Sequence, residues 1–128
     1  MSSLSRCLAP LALAALAACG SGVDMPEAPA PTLPVIAVQP ADVTAIEGAP
    51  AAFLGGATGT PPLKFQWEFN ADGSWYDVLG ATHPRYTIAE ASLLDDGTLF
   101  RVRVQNAAGT ALSQAARLTV LPAPAPVR

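Results

Sequence analysis

In 128 residues the chain carries 26 alanines, 13 prolines, 10 glycines and a single histidine, and although 51% of it is apolar only 6% is aromatic. This is material for one domain of extended segments and turns, and it argues against long helices and an imidazole-based metal centre. A formal charge of -3 also argues against a partner held by its phosphates, because such binding needs Lys and Arg to displace counterions, so nucleic acid is not an expected ligand.

The chain opens with one basic residue, Arg6, followed by the uncharged apolar run from Leu8 to Ala18, which is short for a membrane-spanning helix and has the architecture of an export signal. The run ends in Leu16-Ala17-Ala18-Cys19, followed by Gly20 and Ser21, and this resembles the lipobox of bacterial lipoproteins. The resemblance implies cleavage before Cys19 and acylation of its thiol, with residues 1–18 as the discarded signal peptide. Gly20 after the cysteine is similar to lipoproteins passed on to an outer membrane. Cys7 lies within the signal, so a mature chain would keep Cys19 alone and could form no internal disulfide. That mature chain of 110 residues has 6 basic and 10 acidic side chains, about -4, so attachment to a membrane would rest on acyl chains and not on charge.

Residues 19–33 are rich in Gly, Ser, Pro and Ala and read as a semi-extended tether; residues 122–128, with alternating prolines, read as a tail. The folded part is expected over 34–121. Its apolar residues recur with period two, most cleanly in Leu63, Phe65, Trp67 and Phe69 against Lys64, Gln66 and Glu68, then in Phe100, Val102 and Val104, and in Leu118 and Val120. Weaker runs lie at Val35 to Val38, Val43 to Ile46, Pro50 to Ala57, Trp75 to Leu79 and Tyr86 to Ile88. Turn residues separate them at Glu47-Gly48, Gly59 to Pro62, Asn70 to Gly73, Gly80 to Pro84, Asp95 to Gly97 and Asn106 to Gly109. Seven or more short strands at this spacing predict an all-β, antiparallel β-sandwich.

In order and spacing these segments resemble a bacterial immunoglobulin-like domain of the I-set or a related type. Phe53, Gly55, Ala57 and Gly59 are similar to strand B, Phe65-Gln66-Trp67 to strand C with its buried tryptophan, Tyr86-Thr87-Ile88 to strand E, and Asp95 to Phe100 to the corner before strand F. The positions that hold the inter-sheet cysteines in antibody-type members correspond to Gly55 and Val102, so the resemblance implies a sandwich without that bridge. It assigns the core to Phe53, Gly55, Phe65, Trp67, Tyr86, Phe100 and Val102. Phe100 stands where many relatives carry a tyrosine whose hydroxyl bonds back to the corner, and Asp95 would pair with Arg85.

No group of residues assembles a nucleophile, base and orienter, and neither a metal nor a cofactor is expected. His83 precedes Pro84 in a turn with no second histidine, and Asp95 and Asp96 beside Gly97 read as corner formers and not as a catalytic acid pair. Trp75 and Tyr76 are the candidate binding residues: adjacent on a strand, they point to opposite faces unless a bulge or edge tucks both partly inward. Lys64, Gln66, Glu68, Arg101, Arg103 and Gln105 should decorate the outer face of one sheet, a solvated surface laced with cross-strand ion pairs. The sequence therefore points to a non-enzymatic, lipid-anchored binding or adhesion module of the cell envelope, exported to an outer membrane and facing a protein or glycan partner. The alternatives are a carbohydrate-binding module using Trp75 or Tyr76, and a passive spacer or small subunit of an envelope assembly.

Overall fold

The computed structural model describes residues 29–125, so the export segment, Cys19 and most of the tether lie outside the described residues. Ten strands follow in chain order: β1 Val35–Val38, β2 Val43–Ile46, β3 Ala51–Leu54, β4 Gly56–Thr58, β5 Lys64–Ala71, β6 Ser74–Asp77, β7 Arg85–Ile88, β8 Leu99–Gln105, β9 Thr110–Leu112 and β10 Ala116–Leu121. A single 3₁₀ turn, Leu93–Asp95, interrupts them among the described residues.

One layer is six-stranded in the order β2-β10-β8-β5-β6, with β9 also paired to β8. The other is assembled from two antiparallel pairs, β1 with β4 and β3 with β7, which meet where β3 runs into β4 at Gly55. Period-two patterning explains the packing. In β8 and β10 every second side chain is buried, and these inner rows close on Phe53 and Ala51 from β3.

The sandwich is not wholly antiparallel. β2 runs parallel to β10, from Leu118 opposite Val43 to Leu121 opposite Ile46. The cause lies in the chain between β1 and β2: Pro40 has no N–H to continue a ladder, so the strand that starts against β4 breaks and crosses to the other layer. Side chains fix the crossing. The Gln39 Oε1 accepts a hydrogen bond from the Gln114 N–H at 2.8 Å, and the Asp42 Oδ1 accepts one from the Arg117 N–H at 2.8 Å.

Trp67 sits at the centre with none of its surface exposed, in contact range of Phe53 (ring centroids 6.2 Å apart) and Tyr86 (6.1 Å). Its indole N–H donates to the His83 carbonyl at 2.8 Å, its backbone N–H donates to the Ala81 carbonyl at 2.9 Å, and its carbonyl accepts from the Val78 N–H at 2.8 Å. The segment from Val78 to His83 is thus wrapped onto the tryptophan from the side of the sandwich that has no further strand. Gly55 faces the same indole: a Cβ there would stand 2.9 Å from Val102 Cγ1 and 3.6 Å from Trp67 Cζ2. Val102 and Phe53 are buried, as is Phe100, whereas Phe65 and Tyr86 are partly buried and pack against this cluster.

The corner before β8 is built differently from the sequence expectation. Asp95 does not pair with Arg85; the ion pairs among the described residues lie elsewhere, on β5, β6 and β8. Asp96 is the anchoring residue, its Oδ1 accepting from the Val120 N–H at 2.8 Å while the Gly97 N–H donates to the Leu118 carbonyl at 2.7 Å. Gly97 has a φ of 86°, a left-handed conformation that glycine adopts without steric cost, and this turns the chain into β8.

Candidate binding surfaces

The two-residue turn Asp72-Gly73 decides where the candidate aromatics go. Its φ angles of 54° and 81° are both left-handed, as a tight hairpin of primed type requires. The turn sets Ala71 opposite Ser74, hence Asn70 opposite Trp75 and Phe69 opposite Tyr76. Because Trp67 and Phe69 face inward, Tyr76 is carried to the inner side of the sheet edge, where its ring lies 5.7 Å from that of Phe69 and half its surface stays exposed. Trp75 goes to the outer face. Neither a bulge nor the strand edge draws both rings inward.

On that outer face one side of the Trp75 ring is covered. The Arg101 guanidinium lies 4.1 Å from the centre of its ring, a cation–π contact, and the same guanidinium donates through Nε to Glu68 Oε1 at 2.7 Å. Glu68 Oε2 accepts from Arg103, which reaches on to Asp77 with Nη1 3.2 Å from Oδ1. The register explains the assembly, since Glu68 stands opposite both Arg101 on β8 and Asp77 on β6, and Gln66 opposite Arg103. Gln66 uses its amide to donate to the carbonyls of Trp67 at 2.9 Å and Val78 at 2.7 Å.

The cross-strand ion pairs expected on this face are present, but Glu68 lies deeper than a solvated surface allows. The Glu68 residue is only 5% exposed, and both of its carboxylate oxygens meet guanidinium donors, which offsets the cost of burying it. Lys64 and Gln105, opposite each other at the far end, are exposed and fit the sequence expectation. Two acids and two arginines neutralise one another, so the patch stiffens three strands and leaves one face of Trp75 shielded from any ring that would stack on it.

A second feature lies between the layers. A cleft of about 360 Å³ there is lined by Phe69, Ala71, Val78, Tyr86, Ile88 and Phe100, together with Asp95 and Thr98. Burial raises the Tyr86 hydroxyl pKa above the ordinary tyrosine value, and the negative charge of Asp95 raises it further. His83 is exposed, and its carbonyl, not its ring, is the group that the fold uses. Among the described residues no cluster of three or more His, Cys, Asp or Glu side chains is arranged to hold a metal ion.

Several structural side chains carried no sequence signal strong enough to single them out. Ser113 is buried and its hydroxyl accepts from the Val102 N–H at 2.8 Å, closing the gap between β9 and β10. Asn106 donates to the carbonyls of Thr32 (2.7 Å) and Thr60 (3.0 Å) and accepts from the Ala108 N–H (2.9 Å), tying the start of the domain to two loops. Its place in an Asn-Ala-Ala-Gly turn was the available clue.

Residues 37–122 match the model of a protein family described as Domain of unknown function (DUF8696). Endoglucanase C from Cellulomonas fimi is 43% identical over 92 residues, which cover 72% of this chain; the chain spans 8% of the length of that protein. Among solved structures, a chain of the Titin M10-Obscurin like 1 Ig complex superposes with a TM-score of 0.58 at 29% identity, covering 73% of this chain and 99% of the other. The Sidekick-1 immunoglobulin domains 1-5 match with a TM-score of 0.58 at 22% identity, over 72% of this chain and 19% of the other. The fold is an immunoglobulin-like β-sandwich, and its described residues contain no cysteine to form a disulfide. Domains of this fold are typically non-catalytic, and it suggests a binding or adhesion module.

Proposed function

The chain belongs to the family described as Domain of unknown function (DUF8696), and from that premise we propose that it is a non-enzymatic accessory module that presents a protein-binding or adhesion surface at the bacterial cell envelope. The observation that carries the reading is the size of the match: a 43% identical segment makes up only 8% of a much longer enzyme, so the unit travels as an appendage to other parts. The charged groups support it, because the buried carboxylate is consumed by two arginines and the lone histidine contributes a backbone carbonyl. Cys19 is the proposed site of acylation, and the Pro- and Ala-rich tether after it would hold the domain off an outer membrane. Mass spectrometry of the mature N-terminus tests the anchor, with an unmodified Cys19 removing it. Crosslinking in intact cells tests the binding role, which predicts a reproducible protein partner; repeated recovery of the domain alone would reject it.

A carbohydrate-directed reading draws on the endoglucanase in which the related segment occurs and on the half-exposed ring of Tyr76. Trp75 does not support it, since Arg101 occupies one face of its ring. Retention on cellulose that Tyr76→Ala abolishes and Trp75→Ala spares would favour this second reading over the first.

A further inference from the structure

The cleft between the ends of β5 and β7 has a charge that the domain itself does not answer. Its volume of about 360 Å³ compares with roughly 30 Å³ for one water, so it has room for a side chain. Phe69, Ile88 and Phe100 supply apolar surface, and the Tyr86 ring stands 5.5 Å from that of Phe100. Asp95 lies on this wall, near enough for its charge to act on the Tyr86 hydroxyl. Among the described residues its carboxylate takes part in no salt bridge and accepts no side-chain hydrogen bond. The nearby cations do not pair with it: Arg101 and Arg103 are tied to Glu68 on the outer face of the sheet, and neither Arg85 nor Arg117, whose Nη1 lies beside Gly97 at the same corner, forms an ion pair with Asp95.

A carboxylate beside aromatic walls is complementary to a cation on an apolar stem. A small hydrated ion would gain nothing from the walls, and a neutral sugar would leave the charge unanswered. Lysine and arginine side chains have both parts, several methylenes and a cationic head, and the head gains further from the ring faces. The described residues contain five basic against eight acidic side chains, a net of -3, which favours approach of a basic segment. We propose that this cleft receives a lysine or arginine side chain of a partner polypeptide, with its methylenes against Phe69 and Ile88 and its charge against Asp95.

The inference rests on reading the domain as a protein-binding module, and it can fail on its own. The test is titration of the ¹⁵N-labelled full chain with the peptides acetyl-Gly-Lys-Gly-amide and acetyl-Gly-Arg-Gly-amide, with the norleucine analogue and cellobiose in parallel. The basic peptides should shift the amide resonances of Phe69, Ala71, Tyr86 and Thr98. Asp95→Asn and the norleucine analogue should each weaken the response by about tenfold, equivalent to one charge-assisted contact. Ala71→Leu, which crowds the rim without altering charge, should weaken it too, and thermal melts confirm that both variants are folded. An equal response to norleucine, an undiminished one in Asp95→Asn, or shifts produced by cellobiose alone would each overturn the proposal. Failure of both basic peptides while intact cells still yield a crosslinked partner removes the cleft and keeps the binding reading; failure of both experiments removes the two together.

Discussion

Gly55 offers the sharpest test of how this sandwich holds without a bridge. In Gly55→Ala the new methyl would lie 2.9 Å from Val102 Cγ1, a separation that real Cβ atoms do not tolerate, with the Trp67 ring behind it at 3.6 Å. Val102 and Trp67 are both fully buried, so neither can swing into solvent to make room. Overpacking of this kind costs about 1–3 kcal/mol, while restricting the unfolded chain by replacing glycine returns about 0.4–1 kcal/mol. The net expectation is a loss of about 1–2 kcal/mol, or a drop in Tm of roughly 5–15 °C for a domain of this size. Glycine's backbone freedom is not the issue here, since Gly55 is not among the glycines with positive φ. The clash should therefore be relieved by removing its partner. Val102→Ala alone should cost about 2 kcal/mol as a cavity, but Gly55→Ala with Val102→Ala should lose at least about 1 kcal/mol less than the two losses added together. Urea unfolding followed by Trp67 fluorescence measures all four corners of the cycle. A Gly55→Ala domain as stable as the parent, or strict additivity in the cycle, would refute the packing described here.

Three further outcomes follow from the same structure. Glu68→Gln keeps the shape of the side chain but leaves Arg101 and Arg103 without their shared counter-charge; because both arginines are partly exposed, the loss should be about 1–3 kcal/mol, below that of a fully buried pair, and an unchanged urea midpoint would count against the clamp. Asp96→Ala should cost about 1 kcal/mol through the lost acceptor for the Val120 N–H, whereas Asp95→Ala should cost less, and the reverse order in thermal melts would restore Asp95 as the corner residue. Tyr86 keeps its proton to a higher pH in the folded chain than in the unfolded one, so its stabilising contribution is complete below the unfolded pKa and disappears as pH rises through the folded pKa. As pH rises past about 10, the unfolded value, the parent should lose stability more steeply than Tyr86→Phe, and parallel curves in chemical denaturation would contradict that assignment.

The inner faces were legible because burial on one side of a strand writes itself as alternation. Phe65, Trp67 and Phe69 could hardly be placed otherwise, and the register of β5 with β8 follows once those rows face each other. The departures were legible in part. Pro40 marks the break that sends β2 across to β10, and Asp72-Gly73 is a hairpin signal from which the opposite placement of Trp75 and Tyr76 could have been counted. What no local pattern contains is a contact made through the fold. That Glu68 is buried depends on two arginines 33 and 35 positions away, and that Asp96 and not Asp95 reaches β10 depends on how the corner lies against it. Period-two reasoning assigned Glu68 to the outer face and to a cross-strand arginine pair, but not to the depth at which two arginines bury it.

The same tryptophan links the missing bridge to the open cleft. A disulfide between the layers would tie positions 55 and 102 covalently; here the space holds a glycine, a valine and an indole, and Trp67 is fastened to the segment from Val78 to His83 by its indole N–H and by its backbone N–H and carbonyl. Those hydrogen bonds draw that segment over the flank of Trp67, and no additional strand is laid beside β7, which pairs with β3 alone. Val78 and Tyr86, at or just beyond the two limits of the wrapped segment, also line the cleft. Anchoring the core by a hydrogen-bonded loop in place of a cross-link thus sets the ends of that loop beside the cleft, where Tyr86 packs on Phe100 at 5.5 Å and Phe69 and Asp95 complete the lining. Loosening the loop should therefore disturb both features at once. Trp67→Phe, which retains an aromatic ring but loses the N–H to His83, should lower stability by about 1–3 kcal/mol and shift the amide resonances of Val78 and Tyr86 more than those of Val104. Confinement of the shifts to β5 and β8 would uncouple the cleft from the core.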